Sequence, residues 1–380
     1  MFRYVIAVLF CCPVLAIPSS RTEITYPSLE TLRSGEKILT LRAFGNDIAL
    51  KLESAGDVIA DDFTFMEGDG KIHKTNVKNL KSKLFRNKEK NAALYINEEG
   101  PLEIKGLIAS RMKIEPCASN EENKEGRRAH CITRRSEDDK RIYDAVIPPS
   151  INQIYSNDSL MVMQDNQCVV IDYFFVTEST FTHRFNNKYE IKVNLSMALM
   201  GKRNEPSFIE SSTIPGERRL LHSEKLLDEM SNYYCKLRRD PIVKQADIIM
   251  LITRRKLGDI NSDDTISDGT VGIANLGGAC NPCLKCGIVE DDDSYVDRDD
   301  TFAHESAHLI GIDHDGEDEE DGSSGSPTAV HCPSEDGYIM GDDTGANKMK
   351  FSSCSREHFI HFLWSFSANC LFDNCYDDRK

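Results

Sequence analysis

His304-Glu305-Ser306-Ala307-His308-Leu309-Ile310-Gly311-Ile312-Asp313-His314-Asp315 is the stretch around which the rest of the chain is organised. On a helix, His304 and His308 leave the same face one turn apart, so both imidazoles can close on one small cation. Glu305 sits beside them. Gly311 is where such a helix can stop, because glycine takes positive φ without a Cβ penalty, and the chain can then turn back to bring in His314 as a third nitrogen. Three neutral imidazoles with one coordination position left for water describe a catalytic zinc site. A structural site would close the fourth position with cysteine.

The chemistry follows from that geometry. Zinc lowers the pKa of its bound water and polarises a carbonyl oxygen, while Glu305, which is not a ligand, takes the water's proton and later passes it to the leaving amine. The expected result is a cut peptide bond. HExxH alone is a weak signal, since few of its positions are fixed; glycine and a third histidine at this spacing make it a strong one.

At these residues the sequence resembles the metzincin metalloproteases, whose HExxHxxGxxH is followed downstream by a methionine-containing turn. Asp315 directly after the third histidine resembles the adamalysin/reprolysin branch, and Tyr338-Ile339-Met340-Gly341-Asp342 supplies the turn. The resemblance implies that Met340 lies under the zinc site as an apolar base and does not coordinate. Read alone, Met340 is a core methionine. The implied catalytic fold is α/β, a mostly parallel twisted sheet with packed helices and the zinc helix at the cleft.

At 380 residues the chain suggests two or three domains, and 40% apolar residues suffice for proper cores. The net charge of −16 argues against nucleic acid or an anionic membrane as partner. Acidic runs at 290–293, 297–300 and 317–321 read as solvated loops, with basic substrates or calcium as the sharper alternative.

Arg3, an apolar run over residues 4–15 and Ala16 read as a secretory signal peptide over 1–16. No other segment reaches the roughly 18 apolar residues of a membrane span, so a secreted, extracellular protein is expected. The 13 cysteines then make sense as disulfides. Asn157-Asp158-Ser159 and Asn194-Leu195-Ser196 are glycan acceptor motifs.

Residues 17–150 have mainly period-two patterning. Leu39, Leu41 and Ala43, a Gly45-Asn46-Asp47 turn, then Ile48, Leu50 and Leu52 read as a hairpin, with further strands over 93–96 and 102–108. This region, with Gly106-Leu107-Ile108 and Met112-Lys113-Ile114-Glu115-Pro116, resembles the β-rich reprolysin prodomain, which implies that the chain inhibits its own site. A prodomain thiolate can take the fourth zinc position. Cys117 and Cys131 are the candidates; they equally suit a disulfide with each other. Residues 118–141, rich in charge and holding Arg127-Arg128, Arg134-Arg135 and Lys140-Arg141, read as an exposed linker, with the mature start loosely between about 136 and 165.

The protease domain is expected over 151–380. Its strands are residues 168–176, 191–199, 246–253 and 271–276, and Leu226, Leu227, Met230, Tyr233, Tyr234 and Leu237 recur at helical spacing behind Ser223 as N-cap. Alternating strands and helices argue a mostly parallel α/β sandwich. Val271-Gly272-Ile273-Ala274-Asn275-Leu276-Gly277-Gly278 resembles the family's edge strand, which implies that substrate backbone pairs along it. Cys235, Cys280, Cys286, Cys332, Cys354, Cys370 and Cys375 look like the disulfide staples of a reprolysin domain. Calcium is implied as an accompanying ion near Asp247 and residues 370–373, although Asn166 stands where the family has an acidic ligand.

The whole plan resembles short secreted reprolysins such as those of tick saliva, which implies matrix or plasma proteins as substrates. The competing reading is a secreted binding protein on a protease scaffold with little turnover. An intact Glu305 argues against it, because a scaffold has no use for a general base.

Overall fold

The computed structural model describes residues 20–135, 145–147, 167–177, 195–199 and 206–374, less short interruptions within them. The expected signal segment 1–16, the asparagines of both acceptor motifs, the Lys140-Arg141 pair and Cys375 lie outside the described residues.

The N-terminal part is an antiparallel sheet of nine strands. These are β1 (Ser20–Thr25), β2 (Ser28–Thr31), β3 (Lys37–Ala43), β4 (Asn46–Ser54), β7 (Leu84–Asn87), β8 (Ala92–Asn97), β9 (Glu103–Ala109), β10 (Met112–Pro116) and β11 (His130–Arg135); β5 (Thr64–Glu67) and β6 (Ile72–Lys74) belong elsewhere. The β3–β4 hairpin closes with Ala43 opposite Asn46 and Gly45 at φ +78°. Alternation sends Leu39, Leu41, Leu50 and Leu52 to one face, where they meet Ile104, Ile108, Ile114 and Ile132.

The expected linker is in part a strand. Part of the expected linker 118–141 is β11, which pairs with β10 and β1 and buries His130 and Ile132. Thr133 alternates with the buried His130 and Ile132, and the exposed Arg134 follows them, so the charge that suggests solvent stands at the end of a strand whose first residues are buried. Arg134 and Arg135 are therefore strand residues, and Arg128 pairs with Glu103. Of the two readings open for Cys117 and Cys131, the structure has the disulfide that joins them, so neither offers a thiolate to a metal.

The second sheet has eight strands in the order β12-β20-β21-β17-β14-β15-β5-β6. Its further members are β12 (Ala145–Ile147), β14 (Tyr173–Thr177), β15 (Leu195–Leu199), β17 (Ile248–Thr253), β20 (Gly272–Asn275) and β21 (Cys286–Glu290). Neighbours from β21 to β5 run parallel; β20 is antiparallel to β21 and β6 to β5. Position 150 is thus no boundary between sheets, since β5, β6 and β12 precede it.

The longest described helices pack on this sheet: α1 (Ser223–Lys236), α2 (Tyr295–Leu309) and α3 (Ser353–Trp364). Ile249, Leu251, Phe174 and Val176 face Leu226, Leu227, Met230 and Tyr234 of α1. Their neighbours Ile248, Met250 and Phe175 face the other way, onto Leu309 of α2 and Phe362 of α3. Burial on both faces is why these strands read as unbroken apolar runs, each such side chain contributing about 1.5–3 kcal/mol.

Details of the expected elements shift. The single strand over 168–176 divides into β13 (Gln167–Val169) and β14, because β13 leaves the sheet to pair with β22 (Phe372–Asn374). Ser223 is the first helical residue and not the N-cap; its hydroxyl donates to Asp259 and His222 takes the cap position. Disulfides join Cys235 to Cys283, Cys280 to Cys370 and Cys332 to Cys354. Cys286, expected as a staple, is a free buried thiol. It sits mid-sheet among apolar side chains with its hydrogen-bonding partner Ser231, where no second cysteine reaches it.

Candidate active site

Helix α2 packs on β20 and β21 and ends where the sequence supplies a glycine. The Gly311 N–H donates to His308 O at 2.9 Å and the Ile312 N–H to Ala307 O at 3.0 Å, with Gly311 at φ +78°. This pair of bonds is the Schellman closure, and the Ile312–Ala307 apolar contact accompanies it. Glycine is required twice over here, since a Cβ would also come 2.8 Å from Phe362 Cδ2. The reversal carries the chain back so that His314 faces the helix.

The three imidazoles then converge. His304 Nε2 lies 3.1 Å from His308 Nε2 and 3.2 Å from His314 Nε2. Backbone carbonyls set the tautomers: His304 Nδ1–H donates to Ile339 O at 2.6 Å and His308 Nδ1–H to Ile312 O at 2.8 Å. His314 Nδ1 is 3.2 Å from Glu317 Oε1. With the protons held on Nδ1, the Nε2 lone pairs point at one another, an arrangement that a cation resolves. Nitrogens about 2.0–2.1 Å from one tetrahedral zinc stand roughly 3.4 Å apart, so the residues fit the metal. His304 and His308 are almost wholly buried, which keeps both rings in these orientations.

Met340 and Asp315 lie beside the histidine turn. Met340 is 1% exposed and packs with Ala307, Ile312 and Ile339. Its carbonyl accepts the Asp315 N–H at 2.8 Å, so the turn and the third-histidine loop are bonded directly. Asp315 Oδ1 accepts from Ser352 Oγ at 2.5 Å, and that same Oγ accepts the Ser355 N–H at 3.0 Å as the N-cap of α3. Burial raises the Asp315 carboxyl above its usual range and the Ser352 hydroxyl opposes the shift. His358 of α3 adds a further tie, accepting the Asp313 N–H on Nδ1 at 3.1 Å and donating to Pro327 O through Nε2.

Glu305 is fully buried between α2 and β20. Thus His304, Glu305, His308, Gly311, His314, Asp315 and Met340 all meet in one place. Ser352 and His358 were not legible as site residues. Only the Ser352-Ser353 pair ahead of a helical pattern offered a signal, and it is one for a helix cap. Equally hidden was the occupant of the edge strand: β12 lies parallel to β20, with Ala145 opposite Ile273, Val146 opposite Ala274 and Ile147 opposite Asn275.

Away from this site, Asp247 is 6% exposed, its Oδ2 accepts the Asp172 N–H at 2.8 Å, and it lies beside the Cys280–Cys370 bridge. Burial pushes its carboxyl up to about 7. The described residues contain no helix long and apolar enough to cross a membrane.

Comparison with known proteins places these features among relatives. Residues 222–375 match the Reprolysin (M12B) family zinc metalloprotease description. The chain is 38% identical to venom metalloproteinase antarease TserMP_A of Tityus serrulatus, over 99% of this chain and 100% of the relative. It is 38% identical, over 99% and 100%, to the antarease-like TtrivMP_A of Tityus trivittatus. Venom metalloproteinase BumaMPs1 of Olivierus martensii is 36% identical over 100% of both chains.

Proposed function

This chain belongs to the reprolysin family of zinc metalloproteases, and from that premise we propose a secreted, latent endopeptidase in which His304, His308 and His314 hold the zinc and Glu305 is the general base. The enzyme class is a zinc metalloendopeptidase. The observation that carries the site assignment is the convergence of three Nε2 atoms, with the His304 and His308 rings held by backbone carbonyls and the His314 ring beside the Glu317 carboxylate.

A zinc ion bound there supplies Lewis acidity, polarising the scissile carbonyl and making water acidic enough to deprotonate near neutral pH. The protein's own residues do the rest. The Glu305 carboxylate accepts the proton of the attacking water, and the carboxyl so formed gives it to the departing amine. The edge strand β20 presents its backbone to an extended peptide, which holds the substrate in line with Glu305 across the site. Met340 and Asp315 keep the histidine frame rigid.

Latency rests on the same edge. With β12 paired to β20, a substrate has no free strand to join. The Cys117–Cys131 disulfide removes both candidate thiols, so occupancy of the strand, not a thiolate on the metal, is the inhibiting contact. Cleavage after β12 would take β5, β6 and β12 from the two ends of the sheet. The strands β20-β21-β17-β14-β15 would remain contiguous, which supports an N-terminal prodomain and a protease domain beginning near residue 151. Secretion follows from the signal-like N-terminus and the disulfides, and extracellular proteins are then the substrates.

A calcium ion at Asp247 is a smaller part of the proposal. Its support is the position of this buried carboxyl beside the Cys280–Cys370 bridge, near residues 370–373. Calcium should raise the melting temperature of the wild type but not of Asp247→Asn.

The main test is cleavage of an unfolded protein by the secreted, processed form. Activity should vanish with a zinc chelator and fall by about 10³-fold or more in Glu305→Gln, because general acid–base catalysis alone is worth about 10²–10⁴. An inactive, zinc-loaded and correctly processed wild type would leave a binding protein on a protease scaffold.

A further inference from the structure

We infer that Gly272 is a positioning residue for Glu305, an inference that rests on the general-base reading of Glu305. Gly272 opens β20 and pairs with Val289 of β21. Its φ is not in the left-handed region, so backbone conformation does not demand glycine there. Space does. A Cβ at this position would come 2.1 Å from Oε1, 2.6 Å from Cδ and 2.8 Å from Cγ of Glu305.

The identity of those atoms matters. Were Gly272 present only so that helix α2 could approach the sheet, backbone atoms of the helix would lie nearest. Instead the three nearest atoms all belong to one side chain, the one assigned to proton transfer. Glu305 is also 0% exposed, so it has little freedom to take another rotamer around an added methyl group. The missing side chain of Gly272 is therefore the seat of the carboxyl. Because Gly272 lies on the strand proposed to pair with substrate, base and substrate are referred to one rigid element.

A methyl at position 272 should displace the carboxyl by a good fraction of an ångström and leave the histidines in place. Misplacement by about 1 Å can cost on the order of 10² in rate. In the processed, zinc-loaded enzyme, Gly272→Ala should lower kcat by about 10²-fold with KM within about twofold, since substrate binding is not what changes. Zinc content should equal that of wild type.

The decisive measurement is a double-mutant cycle with Glu305→Asp, which shortens the side chain by one methylene and withdraws it from the added methyl. In that background, adding Gly272→Ala should cost less than about threefold, a non-additivity expected only of groups in contact. Wild-type kcat in Gly272→Ala, an equal loss in both backgrounds, or a loss that tracks missing zinc or unfolding would each overturn the inference. Glu305→Gln is read separately. If it keeps turnover, the general-base reading itself fails and the inference falls with it, so the two failures are distinguishable.

Discussion

The Nδ1–H of His304 donates to the carbonyl of Ile339 at 2.6 Å, which ties the first ring of the histidine cluster to the residue next to Met340. One backbone carbonyl thereby selects the tautomer, aims Nε2 at its partners, and joins the helix to the turn beneath it.

The zinc assignment predicts a stability readout independent of turnover. A ligand that binds only the folded state stabilises it by RT ln(1 + [L]/Kd), about 4 kcal/mol at a thousandfold excess over Kd. Chelation should therefore lower the melting temperature of the wild type by several degrees. His304→Ala should already melt low, bind no zinc, and respond little to chelator in a calorimetric scan.

Ser352 serves two partners at once, so its removal should exceed the cost of an ordinary cap. Losing an N-cap costs about 1 kcal/mol, and leaving the Asp315 carboxyl without its donor adds about 1–3 kcal/mol. Ser352→Ala should thus lose about 2–4 kcal/mol in denaturant unfolding, whereas Ser352→Thr should lose far less. A loss confined to the cap value would show that Asp315 does not depend on this hydroxyl.

His130 makes the N-terminal sheet sensitive to acid. Its Nε2 accepts the Ile104 N–H at 3.0 Å and burial lowers its pKa below the ordinary 6.5. A group with a depressed folded pKa leaves the unfolded chain binding more protons, so stability rises with pH across the interval. The contribution is complete above about 6.5 and is lost as pH falls through that value toward the folded one. Urea midpoints of the precursor should fall on acidification in this window, and His130→Asn should flatten the dependence.

Cys286 should behave as an inert thiol. Burial pushes it up to about 12, and thiolate is the reactive form. Mass mapping after brief alkylation at neutral pH should find Cys286 unmodified in the folded protein and modified after denaturation. Labelling in the folded state would mean that the sheet opens at β21.

How much was legible can be judged from particular residues. The convergence of His304, His308 and His314 was readable because metal chemistry fixes both residue type and spacing on a helix, and the Schellman closure at Gly311 turned the spacing into geometry. The β3–β4 hairpin was readable because period-two burial and a glycine turn are local signals. By contrast, β11 was hidden by the charged residues that flank its short buried stretch at His130 and Ile132, and Ser223 looked like a cap until Asp259 took its hydroxyl.

The sequence by itself thus carried the proposed chemistry: three imidazoles, a carboxylate and a turn, in the order of the HExxHxxGxxH motif. Tertiary structure alone decided which distant segments meet it. That β12 lies along β20, that Cys117 bonds Cys131 while Cys286 stays free, and that Gly272 lies beneath Glu305 all depend on contacts between residues far apart in the chain. Local propensity carries no record of such contacts, because strand pairing and close packing select a partner only when the whole core is assembled.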